Sequence, residues 1–128
     1  MAIAKPDLKC LVADDEPQIG ALVRDALAQQ GYTSDVVVNG DQAARKLAEG
    51  DYSLIVSDVM MPFRTGVELV HELRARGRKI PVVLMSSYLS EEILVSCSAV
   101  EHIAFLQKPF SLSDLRHAID RANSSVRC

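Results

Sequence analysis

Residues 54–66 read Leu-Ile-Val-Ser-Asp-Val-Met-Met-Pro-Phe-Arg-Thr-Gly, and the first four decide how the chain is layered. Leu54–Ser57 is a short apolar run without polar alternation, so a strand here needs cover on both of its faces. The run leads directly into Asp58. A loop containing Met61-Pro62 and Gly66 follows, and then an amphipathic helical pattern over Val67–Ala75.

The same pairing of apolar strand and amphipathic helix repeats on either side. Upstream, Lys9–Ala13 reads as a buried strand. Pro17–Gln30 reads as a helix with Ile19, Leu22, Val23, Ala26 and Leu27 on one face, Pro17 suiting its first turn and Gly31 its stop. Thr33–Val38 is a second strand, and Asp41–Glu49 a short helix closed by Gly50. Downstream come strand Pro81–Met85, helix Ser90–Val100, strand Ala104–Gln107 and helix Ser111–Asn123, the last with Leu112, Leu115, Ile119 and Ala122 facing inward. Ser90 ahead of Glu91-Glu92, and Ser111 ahead of Asp114, are expected caps. Five buried strands, each followed by a helix, predict an α/β fold: a doubly wound five-stranded parallel sheet of order 2-1-3-4-5 with five helices, flavodoxin-like. The expectation is one domain over 1–128, with 124–128 as a frayed tail.

Composition narrows the function classes. The 128 residues are 48% hydrophobic and carry 14 basic against 17 acidic side chains, a net charge of −3 without the basic surplus of a nucleic-acid footprint. The densest charge run, Glu72–Lys79, falls at a helix end, where water is expected to solvate its cations. Three cysteines, Cys10, Cys97 and Cys128, lack CxxC or metal-ligand spacing and read as free thiols, Cys10 as a small buried hydrophobe. His71, His102 and His117 are scattered without acidic or cysteine partners and read as surface or helix-face residues. Residues 1–8 are too short and too weakly apolar for a signal peptide, and no run reaches membrane-spanning length, so a soluble, cytoplasmic protein is expected.

Chemistry should collect beyond the carboxyl ends of the strands, where strand order reverses. Strand one ends in Asp14-Asp15-Glu16, strand three in Asp58, strand four in Ser86-Ser87 and strand five in Lys108-Pro109. Converging carboxylates repel unless a cation or proton neutralises them, and Mg²⁺ suits one or two carboxylates plus phosphate oxygens. A carboxylate can also act as nucleophile and carry a phosphoryl group, with Lys108 and the Ser86 hydroxyl available to its remaining oxygens.

At these residues the chain resembles the receiver domains of two-component signalling. Val12–Glu16 (VADDE), Ser57–Gly66 (SDVMMPFRTG), Val83–Tyr88 (VLMSSY) and Phe105–Phe110 (FLQKPF) stand in that family's order and spacing over essentially the whole chain. The resemblance implies Asp58 as phospho-acceptor, Asp15 as direct Mg²⁺ ligand, Asp14 acting through the metal's water shell, and the Met60 backbone carbonyl completing the set. It implies Ser86 as switch hydroxyl, Lys108 as phosphoryl partner with a cis bond to Pro109, and Phe105 as the rotameric aromatic. Met60 and Tyr88 are placed to limit water's approach to the acceptor, whereas Met61 and Met85 read as packing. The donor implied is a histidine kinase or phosphotransfer protein. The output implied is a downstream protein target, with a phosphorylation-dependent homodimer admitted, and without membrane or direct nucleic-acid contact by this domain.

Two stretches depart from the family. Val100-Glu101-His102-Ile103-Ala104 stands where a small Gly-Ala element is common, and Phe63-Arg64 is bulkier than the usual Gly-containing loop. A flavin carrier on this fold is disfavoured, because Asp-Asp-Glu after strand one would repel a flavin phosphate. An aspartyl phosphatase is disfavoured because the DxDx[TV] motif is absent. Two variants of the receiver reading stay open: a fragment of a larger regulator whose output domain lies elsewhere, or a degenerate receiver acting only as a protein-binding module.

Overall fold

Alternation of side chains along each strand builds two cores at once. On β1 (Leu8–Ala13), Leu11 and Ala13 face one side, and Cys10 and Val12 the other. On β3 (Leu54–Asp58), Ile55 opposes Leu54 and Val56 in the same way. Both faces are therefore apolar, which is why these strands read as unbroken hydrophobic runs. The structure, a computed structural model, describes residues 8–124; the leader reading of residues 1–7 and the tail from 125 onward, Cys128 included, lie outside them.

The remaining elements are α1 (Pro17–Ala28), β2 (Tyr32–Val37), α2 (Gly40–Glu49), α3 (Gly66–Ala75), β4 (Val82–Ser86), α4 (Glu91–Ser96), β5 (Ile103–Gln107) and α5 (Leu112–Asn123). All pairings are parallel, and the sheet order is β2-β1-β3-β4-β5, as the pattern predicts. Helices α1 and α5 cover the face carrying Cys10 and Val12, while α2 and α3 cover the opposite face. The chain leaves β1 for β2 on one side and returns to β3 on the other, so the carboxyl ends of β1 and β3 flank a crevice. Among the described residues no helix is long and apolar enough to cross a membrane.

Local signals set the helix starts. Thr65 and Ser111 form capping boxes with Glu68 and Asp114, and Ser90 and Asn39 accept from the backbone of Ile93 and Gln42. Pro17 occupies the first helical position of α1, where a missing N–H costs nothing.

Four expectations need correction. Helix α4 ends at Ser96 rather than Val100: Val95-Ser96-Cys97-Ser98 are weak helix formers, and Ser96 Oγ donates to the carbonyl of Ile93 at 2.8 Å. Leu22 and Leu112 do not face inward, being 59% and 51% exposed, because the buried stripes of α1 and α5 are narrower than the apolar pattern. The run Glu72–Lys79 is not uniformly solvated. Arg74 donates to the carbonyls of Arg78, Glu101 and His102, and Arg78 to those of Leu47 and Gly50, so two of its guanidiniums hold loop and helix-end carbonyls. His102 is not a surface or helix-face residue: it sits in a turn at φ 58° with its Nδ1 buried, its carbonyl fixed by Arg74 and by the N–H of Val82.

Gly66 stands where α3 begins beneath the acceptor strand. A Cβ there would lie 2.5 Å from the carbonyl oxygen of Asp58 and 2.9 Å from Leu84 Cδ2, closer than van der Waals contact permits. Gly66→Ala is expected to destabilise the fold by about 1–3 kcal/mol, the usual range for overpacking, as read from urea denaturation midpoints. An unchanged midpoint would show that α3 is free to shift away from β3.

Candidate functional site

Three strand ends meet on one ammonium group. Asp14 follows β1 and is fully buried, Asp58 closes β3, and Lys108 follows β5. Lys108 Nζ donates to Asp14 Oδ2 at 2.8 Å and to Asp58 Oδ2 at 2.9 Å, although the residues are far apart in sequence. The second oxygens are also engaged: Asp14 Oδ1 accepts from the Glu16 N–H at 2.9 Å, and Asp58 Oδ1 from the Met60 N–H at 3.2 Å. The Lys108–Pro109 peptide is cis, and the Lys108 N–H donates to the Ser86 carbonyl at 2.8 Å, which fixes the lysine's backbone against β4.

Burial and pairing pull against each other here. Burial pushes the Asp58 carboxyl above the ordinary carboxylate range, more than Lys108 and the Met60 N–H pull it down. Burial pulls Lys108 down, but its bonds to Asp14 and Asp58 together outweigh this and hold its pKa above the usual lysine value.

Beside this triad lies a cleft of about 420 Å³, reached by Asp15, Asp58, Met60, Ser86, Tyr88 and Lys108. Asp15 and Glu16 are exposed, and each of Asp14, Asp15 and Glu16 has an oxygen within 4.8 Å of the others. Two carboxylates thus share a single ammonium, and two exposed ones add negative charge beside Asp14. An all-oxygen donor set with surplus negative charge fits a hard divalent cation such as Mg²⁺, and lacks the nitrogen and sulfur ligands that softer metals favour.

Ser86 ends β4 but is turned to its own loop. Its Oγ donates to the Tyr88 carbonyl at 2.8 Å and accepts the Tyr88 N–H at 3.1 Å. Phe105 pairs with Leu84 across β4–β5, and Ser86 pairs with Gln107, so Ser86 and Phe105 lie on one face of the sheet at neighbouring positions. Phe105 is half-buried against the core on that face. Met60 and Tyr88 flank the cleft with 66% and 76% exposed side chains. The structure therefore brings Asp14, Asp58 and Lys108 into contact, sets Asp15, Met60, Ser86 and Tyr88 around them, and keeps Phe105 one step away. Sequence reading did not find Ser90 and Ile93 as cleft walls. The signal for Ser90 was its capping role, which placed the start of α4 but not where that start points.

Residues 10–120 match the family described as the response regulator receiver domain. Among curated proteins, the transcriptional regulatory protein RprY of Bacteroides fragilis is 28% identical over 120 residues, covering 94% of this chain and 51% of that protein. ResD of Bacillus subtilis is 33% identical over 105 residues, covering 82% of this chain and 43% of that protein. The chain spans about half the length or less of such relatives. Among solved structures, the chemotaxis response regulator CheY4 of Vibrio cholerae superposes with a TM-score of 0.80 at 28% identity, over 91% of this chain and 99% of that one. The response regulator TrrA of Thermotoga maritima, in complex with Mg(2+)-BeF, superposes at 0.79 with 29% identity, over 90% and 98%.

Removing the shared ammonium leaves two inward-facing carboxylates without it. Lys108→Met is expected to cost about 3 kcal/mol at neutral pH, the low end for breaking a buried ion pair. The wild-type contribution is present below the ordinary lysine pKa and is lost only as pH rises through the raised value. The variant's deficit should instead shrink as pH falls through the raised pKa of Asp58, because a proton then replaces the ammonium. Denaturation at several pH values checks this, and a deficit independent of pH would contradict it.

Proposed function

The chain belongs to the response regulator receiver family, and from that premise we propose that it accepts a phosphoryl group on Asp58 from a histidine kinase or a phosphotransfer protein. The observation that carries this reading is the bridge from Lys108 to both Asp14 and Asp58 at the mouth of an open, acid-rimmed cleft. A carboxylate oxygen of Asp58 attacks the phosphorus of a phosphohistidine. The new P–O bond forms as the P–N bond breaks, and the imidazole nitrogen leaves with the electron pair. Lys108, already within hydrogen-bond distance of the acceptor carboxylate, turns to an oxygen of the incoming group and offsets its charge. Asp15 directly, Asp14 through water, Asp58 itself and the Met60 backbone carbonyl would hold a Mg²⁺ ion. When bound, that ion neutralises charge on the group in transfer. Met60 and Tyr88 limit the access of water to the product.

The signal step uses Ser86. To donate to a phosphoryl oxygen its hydroxyl gives up its bond to the Tyr88 carbonyl. That frees the loop after β4 and opens space on the sheet face that Phe105 shares. Phosphorylation thus biases two arrangements of the β4–β5 surface through contacts that differ between them. The reading is of a signalling domain in the cytoplasm that acts on a protein target, with a phosphorylation-dependent homodimer among its outputs, and contacts neither membrane nor nucleic acid itself. Two alternatives remain secondary. A larger regulator containing this domain is consistent with the length of the relatives. A degenerate binding module is disfavoured because Asp14, Asp15, Asp58 and Lys108 are all present.

Incubation with acetyl phosphate and Mg²⁺ is expected to add one phosphoryl group, detected by intact mass, and Asp58→Asn to abolish it. Equal labelling of the variant would place the acceptor elsewhere. Ser86→Ala is expected to keep labelling but lose most of the beryllofluoride-induced amide shifts over Glu91–Ser96 and Ile103–Gln107. A full wild-type shift pattern in that variant would remove Ser86 from the coupling.

A further inference from the structure

Ala44 and Ala48 lie one turn apart on α2, and Leu69 and Leu73 one turn apart on α3, so each pair shares a helix face. The leucines are nearly fully buried, so the methyl groups of Ala44 and Ala48 form most of the accessible apolar floor. With Leu47 these residues floor a cleft of about 200 Å³ between the two helices, remote in composition from the acid-rimmed site. Guanidiniums close both ends. Arg64 bridges Asp41 at 3.3 Å and Glu72 at 2.8 Å, and Arg78 donates to the carbonyls of Leu47 at 2.6 Å and Gly50 at 3.4 Å. Arg76, exposed at the end of α3, adds a third to the rim.

The charges do not cancel. Arg64 is matched by Asp41 and Glu72, but the partners of Arg78 are neutral carbonyls, and Glu72 is the one acid among the lining residues. The positive rim, acting locally around an apolar floor, is complementary to a ligand that is both acidic and apolar. The cleft is smaller than the roughly 300–1,000 Å³ of small-molecule sites, so it takes one or two side chains rather than a cofactor.

We propose that the α2–α3 cleft docks an acidic amphipathic segment of a partner protein, with apolar side chains on the alanine–leucine floor and carboxylates at Arg76 and Arg78. This is helix-in-groove recognition on a face that the phosphorylation chemistry does not use. Ala48 and Arg76 are both exposed on their helices, so substitution there leaves the core intact.

The test uses a fluorescein-labelled peptide of repeated Glu-Leu-Leu-Glu units, with a Lys-Leu-Leu-Lys peptide as the charge-reversed control, followed by anisotropy and by amide shifts. The acidic peptide is expected to bind, with shifts confined to Gly40–Glu49 and Gly66–Ala75. Arg76→Glu turns an attraction into a comparable repulsion and should weaken binding about tenfold. Ala48→Glu, which blocks the floor with a like charge for the ligand, should weaken it at least as much. Asp58→Asn should bind as wild type, which keeps this result separate from the fate of the phosphorylation reading. No binding, equal binding of the lysine peptide, shifts centred elsewhere, or affinity unchanged in both cleft variants would each overturn the proposal.

Discussion

A single ammonium group placed between two inward-facing carboxylates constrains most of what surrounds it. Lys108 reaches Asp14 and Asp58 from the end of β5, while the acids come from the ends of β1 and β3. In water such pairs contribute little, but these side chains are 12%, 0% and 10% exposed, so each charge depends on the others for the solvation it has lost. The sheet order makes the meeting possible. Because the chain reverses direction across β1, two strand ends remote in sequence become neighbours, and their carboxylates converge instead of facing separate solvent. One ammonium shared by two carboxylates, with Asp15 and Glu16 beside Asp14, leaves the site short of positive charge and suited to a hard divalent cation.

Two further cations do comparable work on the backbone. Arg74 donates to the carbonyls of Glu101 and His102 in the turn before β5, and Arg78 to carbonyls at the end of α2. His102 stands in the left-handed region at φ 58°, and the Arg74 guanidinium donates to the carbonyls of Glu101 and His102 in that turn. Burial pulls the Arg74 guanidinium below its usual pKa, an expected consequence of taking a cation out of water to satisfy neutral oxygens. Bulkier residues before β5 therefore leave the strand in register with β4.

The Ser86 hydroxyl is held within its own loop. Ser86 donates its one proton to the carbonyl of Tyr88 and accepts from the N–H of the same residue. A new acceptor for that proton competes with the bond to the Tyr88 carbonyl, while the Tyr88 N–H can still donate to Ser86 Oγ.

The parallel sheet, its strand order and its caps were legible in the sequence because they rest on local rules. Continuous apolar runs require two covered faces, and Thr65, Ser90 and Ser111 announce helix starts within a few residues of themselves. The membership of the candidate site was legible too, since acids, a serine and a lysine stand at the ends of β1, β3, β4 and β5. What the sequence left open depends on distant partners. Whether Arg74 and Arg78 meet water or carbonyls, whether Leu22 and Leu112 are covered, and where α4 stops are decided by how helices seat on the sheet. The same holds for Ser86, whose position at a strand end followed from pattern but whose hydrogen bonds followed from loop geometry. Local periodicity thus determined which elements form and in what order. Only tertiary packing decided which polar groups those elements bring within hydrogen-bonding distance, because that distance is set by contacts between residues far apart along the chain.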